Sequence, residues 1–301
     1  MATEGEAAVA VVGSYNHALT MTVGDIPAPG ETVLGHSFEE GVGGKGSNQA
    51  IAVARLGADA RFIGRLGDDR FADAAEALWA ENGVRTHVER DPDVHTGVGF
   101  VVVAENGENA ITVAPGANSE LDEADVRQHA DVIGAADVVL CQLETETTPV
   151  ITTGEIASER DTTFVLNPAP ARQLPERLLE LADVLTPNRA EAKVLTGADA
   201  AVEPVELAAS LRESGAANVV LTLGGDGALV LTEAGPTDID PVQVDVVDTT
   251  GAGDAFNAGL AVALTEGRDI EAAARFAARA GAAACTAYEV VPALPRRGSL
   301  P

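Results

Sequence analysis

The chain has 301 residues, of which 46% are hydrophobic and 22% charged, so it is long enough for a globular α/β domain and is not a disordered chain. Its 47 acidic and 19 basic side chains give a formal net charge of −28 at pH 7, which argues against nucleic acid and acidic membranes as partners. Because the acidity is spread along the whole chain, we interpret it as adaptation of the surface to a salt-rich cytoplasm.

The two cysteines and the first residues predict the compartment. Cys141 and Cys285 lie far apart in apolar or small-residue segments, which favours a reducing environment without disulfides or a cysteine metal site. The acidic start M-A-T-E-G-E is unlike a signal peptide. No apolar run approaches the roughly 18 residues needed to span a bilayer. We therefore expect a soluble cytoplasmic protein.

In chain order, the first predicted element is a buried parallel strand at Ala7–Gly13, a run of alanine and valine. Residues 14–38 contain prolines and short alternating apolar pieces at Thr20–Val23 and Thr32–Leu34, which predict short strands outside the main sheet. The phrase G-V-G-G-K-G-S-N-Q-A then opens a helix that runs to about Leu56. It is not a Walker A loop, because Lys45 is followed by glycine.

The rest of the chain alternates between strands and helices, apart from a hairpin at Thr96–Ala104 and Asn109–Ala114. Further strands are predicted at Ala60–Gly64, Arg85–Glu89, Val138–Gln142, Thr163–Leu166, Val184–Leu185, Val219–Leu223 and Ala228–Leu231. Further helices are predicted at Phe71–Glu81, Glu123–Ile133, Thr148–Glu159, Pro175–Leu181, Arg189–Leu195, Val205–Ser214, Asp254–Glu266 and Ile270–Cys285. This alternation predicts a doubly wound, mostly parallel α/β sheet with ligands at the carboxyl ends of its strands.

The hairpin and the early short strands predict a small β-sheet lid. We expect it to be formed by about residues 14–40 and 96–115, inserted in a single domain that spans residues 1–301.

The segment Val247–Gly259, V-D-T-T-G-A-G-D-A-F-N-A-G, predicts a glycine turn at the start of a tightly packed helix. Free N–H groups and the helix dipole attract anions at such a point. An acid there, Asp254, is better placed to take a proton from a hydroxyl beside a phosphate than to bind the anion itself. The alternative is that Asp254 merely caps the helix, and in isolation this motif would favour that interpretation.

Several polar groups follow predicted strands and should meet at one edge of the sheet. They are Asn16, the turn with Lys45 and Asn48, Glu144, the phrase T-P-N-R-A-E and the phrase G-G-D-G. Each alone is compatible with a structural cap, turn or solvated loop. Together they place amides, a carboxylate, a lysine and an anion-attracting turn at one site.

These motifs resemble the ribokinase (pfkB-type) family of sugar kinases. The matching phrases run from about residue 8 to 260 and are G-S-Y-N, G-G-K-G-S-N-Q-A, G-D-D, G-E-N-A-I with P-G-A-N, Q-L-E, N-P-A-P-A-R, T-P-N-R-A-E, T-L-G-G-D-G and D-T-T-G-A-G-D-A-F-N. The resemblance implies an α/β/α sandwich with a β-sheet lid, often shared in a homodimer. It also implies ATP-dependent phosphorylation of a primary alcohol of a sugar or sugar phosphate.

The resemblance assigns roles to the matching residues. It implies Asp254 as general base, with the N–H groups of Gly251, Ala252 and Gly253 on the transferring phosphoryl group. For the sugar it implies Asn16, His17, Gly44, Lys45, Asn48 and Glu144. For the nucleotide it implies Asn188, Thr222, Gly224 and Gly227. It implies Mg²⁺ near Glu191, held through water, and a K⁺ ion near Asp248 and Thr250.

Two departures from the family pattern bear on the substrate. The family has an acid two residues after Asn16, where this chain has Ala18, and losing a charged hydrogen bond costs about 1.5–3 kcal/mol. His17 stands next to this position and Arg65 is a further cation for a phosphate. Ribose 1-phosphate therefore becomes a candidate acceptor beside free ribose. The phrase Ala287-Tyr288-Glu289 also replaces a basic, glycine-containing loop, so the cation site and the preference for ATP stay open.

The function predicted from the sequence is therefore phosphorylation of the 5-hydroxyl of a ribofuranose, either ribose or ribose 1-phosphate. A nucleoside kinase and a kinase of 2-keto-3-deoxygluconate type are the alternatives. A protein that senses sugar or nucleotide without catalysis is the alternative of a different class, although Asp254 and the N-x-x-E pattern are both intact.

Overall fold

The computed structural model describes residues 7–199 and 201–301. The first six residues, for which no signal peptide is predicted, lie outside this part. The strands are β1 (Ala8–Val12), β2 (Asn16–Val23), β3 (Ser37–Gly43), β4 (Asp59–Gly67), β5 (Arg85–Asp91), β6 (Val98–Ala104), β7 (Asn109–Ala114), β8 (Val138–Cys141), β9 (Thr163–Leu166), β10 (Val184–Leu185), β11 (Asn218–Thr222), β12 (Ala228–Thr232) and β13 (Gly235–Ile239). The helices are α1 (Lys45–Leu56), α2 (Arg70–Glu81), α3 (Glu123–Gln128), α4 (Ala130–Gly134), α5 (Thr147–Glu159), α6 (Glu176–Leu181), α7 (Arg189–Thr196), α8 (Pro204–Glu213), α9 (Ala252–Thr265), α10 (Ile270–Ala284) and α11 (Val290–Ala293).

In the described residues, the strands form a nine-stranded sheet and a four-stranded sheet. The large sheet has the order β13-β12-β11-β10-β9-β8-β1-β4-β5 and is parallel except where β12 pairs with β11 and β13. The small sheet has the order β3-β2-β6-β7. The predicted fold class, a doubly wound, mostly parallel sheet with a small second sheet, is confirmed.

The large sheet buries both of its faces, which explains its near-continuous apolar strands. Along β1, Val9 and Val11 pack into the core beneath α1, α9 and α10, whereas Ala8, Ala10 and Val12 pack into the core beneath α5 and α8. Alternate residues of one strand point to opposite faces, so a single strand supplies both cores.

The helices α9 and α10 pack closely because small residues face each other. A Cβ added to Gly259 would lie 2.9 Å from Ala280 Cβ, closer than such atoms approach. Any larger side chain would push α9 outward, and α9 carries Asp254 in its first turn.

Three details differ from the sequence predictions. Thr32–Leu34 forms no strand; instead β3 pairs with β2 at the edge of the small sheet, although its glutamates and glycines gave no strand pattern. The strand β13 contains Pro236 and was not predicted, and it is tolerated because it lies at an edge of the large sheet. The helix predicted at Glu123–Ile133 divides at His129, which has non-helical φ and ψ.

The cysteines and the helix lengths bear on the compartment, and both are considered over residues 7–199 and 201–301. Within them Cys141 and Cys285 are free cysteines. The helices in the same residues include none whose length and hydropathy would let it cross a bilayer.

Candidate active site

The candidate site lies where the winding of the large sheet reverses, between β1 and β8. The chain leaves β1 toward β4 on one side, whereas β8 continues the sheet on the other, so the carboxyl ends of β1 and β8 border a crevice. Ser14, just after β1, donates from Oγ to Glu144 Oε2 at 2.6 Å. This bond joins the two strand ends across the crevice.

One oxygen of Glu144 accepts from three donors, which come from the segment after β1 and from the start of α1. Besides Ser14, the backbone N–H of Lys45 donates to Oε2 at 2.8 Å and Asn16 Nδ2 donates to it at 3.5 Å. Within the described part of the chain, Oε1 makes no hydrogen bond. Glu144 is therefore fixed through one oxygen, and the other can accept from a ligand.

Glycines allow α1 to begin directly against the segment after β1. Gly44 has φ 88°, and a Cβ on it would lie 2.7 Å from Asn16 N. A Cβ on Gly46 would lie 2.6 Å from Ser14 N. This backbone-to-backbone contact brings the N-terminus of α1, with Lys45, to Glu144.

The amide of Asn16 is oriented by Asn118, in the phrase P-G-A-N. Asn118 Nδ2 donates to Asn16 Oδ1 at 3.0 Å and to the Tyr15 carbonyl at 2.8 Å, while Asn118 Oδ1 accepts from Tyr15 N at 3.0 Å. Because its Oδ1 already accepts, Asn16 presents its NH₂ group to the crevice. Gly97 leaves space for the pair, since a Cβ there would lie 2.2 Å from Asn118 Nδ2.

Asp254 is buried in the first turn of α9, with 6% of its surface exposed. Asn48 Nδ2 donates to Oδ2 at 2.9 Å and Gln49 Nε2 donates to Oδ1 at 3.0 Å. Burial raises the pKa of Asp254, Lys45 and the two amides act against that rise, and the Glu144 charge adds to it. A base with raised proton affinity, held by neutral donors, is suited to accept a proton and release it.

The turn before α9 has no side-chain cap. The Ala252 N–H donates to the carbonyl of Thr249 at 3.2 Å, whereas the N–H groups of Gly251 and Gly253 make no hydrogen bond among the described residues. The N-cap residue Gly251 has a left-handed backbone conformation, with φ 81°. Because glycine has no side chain, it cannot cap the helix as serine or aspartate would. Ala252 begins the helix, and a Cβ on Gly253 would meet nothing within 4 Å. Free N–H groups at a helix start, beside open space, form an anion site.

The nucleotide-side residues follow the next strands of the sheet. Asn188 and Glu191 form a reciprocal capping box at the start of α7, with bonds of 2.9 and 2.8 Å. The two side chains therefore do cap this helix, which is the structural role that the sequence left open for them. Burial raises the pKa of Glu191, and the charges of Lys45 and Asp254 also act on it. Asn188 bridges to Thr222, beyond which Gly224 and Gly227 turn with φ 62° and 90°.

Asp248 and Thr250 form a local turn. Asp248 Oδ1 accepts from Thr250 N at 2.9 Å and from Thr250 Oγ1 at 2.7 Å. The backbone N–H of Asp248 donates to the carbonyl of Cys285 at 3.3 Å. This places the segment beside the end of α10. The residues that the structure describes contain no group of three or more His, Cys, Asp or Glu that could hold a metal ion.

The structure does not bring His17 together with the other predicted sugar-binding residues. His17 is stacked on Phe71, with 4.3 Å between ring centroids, and its nitrogens contact Tyr15 OH and Glu40 Oε2. Alternate residues of a strand point to opposite faces, so Asn16 faces the crevice and His17 faces α2. Arg65 is likewise engaged, in ion pairs with Asp91 and Asp125 at 2.8 and 2.9 Å.

Comparison with known proteins identifies the family. A sequence model of the pfkB family of carbohydrate kinases matches residues 6–297. The chain belongs to this family. It is therefore a phosphotransferase that acts on a sugar hydroxyl, and the resemblance seen in the motifs is confirmed.

Within the pfkB family, the chain is similar to ribokinases. It is 39% identical over 290 residues to a ribokinase of Haemophilus influenzae, covering 95% of both chains, and 38% identical over 294 residues to a ribokinase of Bacillus subtilis, covering 97% of both. Among solved structures, a ribokinase of Arabidopsis thaliana complexed with ribose and ATP superposes with a TM-score of 0.91 at 30% identity, covering 98% of this chain and 97% of that one. A ribokinase of Thermotoga maritima gives 0.89 at 32% identity, covering 97% of each.

For this pfkB-family site, the sequence assigned no role to several residues that the structure places there. Ser14, Gln49, Asn118 and Gln142 all stand inside the motif phrases quoted above, which was the available signal. Their roles depend on pairing between distant segments, such as Asn118 with Asn16 across 102 positions. No spacing rule reveals such a pair.

Proposed function

We propose that this chain transfers the γ-phosphoryl group of ATP to the 5-hydroxyl of a ribofuranose. Ribokinase relatives that cover nearly the whole chain support this acceptor and donor. The observation that carries the proposal is the position of Asp254. Its buried carboxylate follows Gly253, whose N–H group, like that of Gly251, makes no hydrogen bond among the described residues, and the charges of Lys45 and Glu144 act on it.

Asp254 acts as the general base in this proposal. Two amide donors stabilise its ionised form, and a sugar hydroxyl that reaches the carboxylate gives up its proton as the phosphoryl group arrives. Gly251, Ala252 and Gly253 present N–H groups to the charge that develops on the phosphoryl oxygens.

The sugar is held by donors and acceptors of the crevice. Glu144 Oε1 accepts from a hydroxyl, and Asn16 and Lys45 donate to sugar oxygens. Asn48 Oδ1 is buried without a partner among the described residues, so it is a further acceptor for a hydroxyl. Gly44 keeps the backbone close to the ligand by having no side chain.

The nucleotide lies on the side of Asn188, Thr222, Gly224 and Gly227. Mg²⁺ usually binds through one or two carboxylates together with phosphate oxygens, and the half-buried carboxylate of Glu191 fits that donor set. When bound, Mg²⁺ neutralises charge on the phosphates. Asp248 and Thr250 are proposed to border a K⁺ ion, since their oxygens lie in the loop that precedes the turn.

A second acceptor, ribose 1-phosphate, is favoured by the surroundings of Ala18. In the small sheet Ala18 pairs with Gly41 on one side and Gly99 on the other, so three adjacent positions carry no acidic or bulky side chain. Ala18 lies two residues along β2 from Asn16, on the same face of the small sheet. A negatively charged substituent meets neither carboxylate nor steric obstruction there. His17 and Arg65 take no part in this proposal, because both are engaged elsewhere.

We further propose that the small sheet, within a single domain of residues 1–301, acts as a lid and joins two copies of the chain. Its strands expose large apolar side chains, namely Phe38, Phe100, Ile111 and Val113. Ile111→Glu should convert a dimer to a monomer in sedimentation, whereas Val205→Glu, at an exposed apolar residue of α8, should not. A dimer that survives Ile111→Glu would contradict this surface.

A panel of acceptors tests the function. The chain is incubated with ATP, Mg²⁺ and, in turn, ribose, ribose 1-phosphate, nucleosides and 2-keto-3-deoxygluconate, at low salt and in several molar KCl. ADP release measures turnover, and phosphorus NMR locates the new phosphate. Phosphorylation of the ribose 5-hydroxyl is the expected result. Binding of sugar and ATP without ADP release would instead indicate a sensor.

A further inference from the structure

A ring of buried hydrogen bonds starts and ends in the first turn of α9. We call it the polar ring, and its members are Gln49, Asn167, Thr186, Gly253, Asp254 and Asn257. Gln49 Nε2 donates to Asp254 Oδ1 at 3.0 Å and also to Asn167 Oδ1 at 3.1 Å. Asn167 Nδ2 in turn donates to the carbonyl of Thr186 at 3.3 Å. The first half of the ring thus leads from the base to the ends of β9 and β10.

The second half returns to α9. Thr186 Oγ1 donates to Asn257 Oδ1, and Asn257 Nδ2 donates to the carbonyl of Gly253 at 2.9 Å. Gly253 precedes Asp254 in the chain, so the ring closes through one peptide unit. One set of side chains therefore holds both the base and the turn whose N–H groups lie beside it.

The ionised carboxylate sets the direction of the amides. A carboxylate without a proton only accepts, so Gln49 turns its Nε2 toward Asp254 and leaves Oε1 to accept from Gln142 Nε2. Gln142 Oε1 then has no partner among the described residues and lies against Gly13, where a Cβ would be 2.2 Å away. The orientation of two successive amides thus follows from the charge on Asp254.

The ring is costly for a purely structural element. Gln49, Thr186 and Asn257 are each at most 2% exposed, and burying polar groups is unfavourable unless every one is satisfied. Apolar side chains would fill the same volume without that cost. The arrangement is explained if orientation at the site, rather than stability, depends on it.

We propose that the polar ring positions the catalytic groups, with Gln49 orienting Asp254 and Thr186 with Asn257 orienting the Gly251–Gly253 turn. This inference rests on the proposed function, in which Asp254 takes the proton. None of Gln49, Thr186 or Asn257 need contact substrate. They are positioning residues that act through Asp254 and Gly253.

The first test replaces Gln49 with methionine, which has similar length and no donor. Loss of the bond to Oδ1 removes a group that stabilises the ionised form, so the acidic limb of kcat against pH should move up by about one unit. At neutral pH kcat should fall while the KM for ATP stays within about twofold of the wild-type value. An unchanged pH profile together with unchanged kcat would overturn the role of Gln49.

The second test acts on the far side of the ring and remains informative if Gln49→Met does not fold. Thr186→Val keeps the shape but removes the hydroxyl that holds Asn257, and Thr186→Ser keeps the hydroxyl. We expect kcat to fall with valine and to be restored with serine. The matched control is Thr152→Val, which removes an equally buried hydroxyl that bonds the Thr148 carbonyl within α5. Equal kcat for Thr186→Val, Thr152→Val and wild type would overturn this half of the ring.

Asp254→Asn separates the two proposals. If this variant keeps near wild-type turnover, the base assignment and the ring proposal fall together. If it is inactive while Gln49→Met and Thr186→Val behave as wild type, the proposed function stands and the positioning role is refuted.

Discussion

The backbone N–H of Lys45 donates a 2.8 Å hydrogen bond to Glu144 Oε2, which joins the first residue of α1 to the loop after β8. The bond crosses the crevice where the winding of the sheet reverses. It holds the lysine at the start of a helix, beside both Glu144 and the charge of Asp254. The site is therefore assembled from the carboxyl ends of β1 and β8 and the start of α1.

Glu144→Gln should weaken sugar binding more than it slows chemistry. Glutamine keeps one acceptor for Ser14 and Lys45 but turns an NH₂ group toward the sugar hydroxyl that Oε1 accepts in our proposal. Losing a charge-assisted bond of about 1.5–3 kcal/mol raises the KM for the sugar roughly tenfold to a hundredfold. Steady-state kinetics at saturating ATP measure this change. A sugar KM equal to that of the wild type would show that Glu144 does not contact the acceptor.

Asp254→Asn should remove nearly all turnover while making the protein at least as stable at neutral pH. Burial raises the pKa of Asp254 in the folded state, so the folded chain binds a proton more tightly than the unfolded chain does. The free energy of unfolding then falls as the pH rises through the window that starts at the pKa of the unfolded state and ends at the raised one. Asparagine carries no such charge, and Asn48 can rotate its amide because its Oδ1 has no other partner among the described residues.

Calorimetry at several pH values checks this prediction. The difference in thermal midpoint between Asp254→Asn and the wild type should grow as the pH rises through that window and should be small below it. The control variant is Asp137→Asn, at a carboxylate outside the site whose Oδ2 accepts from Ala8 N at 2.9 Å. Its thermal midpoint should not show the same rise relative to the wild type over that pH window. An Asp254→Asn variant whose thermal midpoint falls furthest below the wild-type value at neutral pH would contradict the raised pKa of Asp254 in the folded state.

Much of this arrangement could be predicted from the sequence, and the limits have physical causes. The apolar strands and the polar residues at their ends were visible as patterns, which gave the fold and the edge that carries the site. His17 was misplaced because its strand was predicted to begin only at Thr20; once β2 starts at Asn16, alternation sends His17 to the other face. Gln49 could not be assigned, since its contacts with Asp254 and Asn167 span 205 and 118 positions. The strands β3 and β13 lack an apolar pattern because they lie at sheet edges.

Ala18→Asp should move acceptor preference toward free ribose. The new carboxylate would stand two residues along β2 from Asn16, between Gly41 and Gly99, where it can accept from sugar hydroxyls and repel a phosphate. We expect the ratio of kcat/KM for ribose to that for ribose 1-phosphate to rise by about tenfold or more. Ala18→Asn, which adds similar volume without charge, separates the electrostatic from the steric effect. A ratio that does not move would remove position 18 from substrate selection.

Gly46→Ala should destabilise the fold at the contact that forms the site. The added Cβ would lie 2.6 Å from Ser14 N and 2.8 Å from the carbonyl carbon of Gly13, and neither backbone atom can move without shifting β1 or α1. An overpacked contact of this kind costs about 1–3 kcal/mol of unfolding free energy, even though alanine favours a helix. Denaturant unfolding measures the loss. Gly298→Ala is the control, because a Cβ there meets nothing within 4 Å, and its free energy of unfolding should stay near the wild-type value. Equal stability of the two variants would mean that α1 does not press against β1 as closely as the geometry requires.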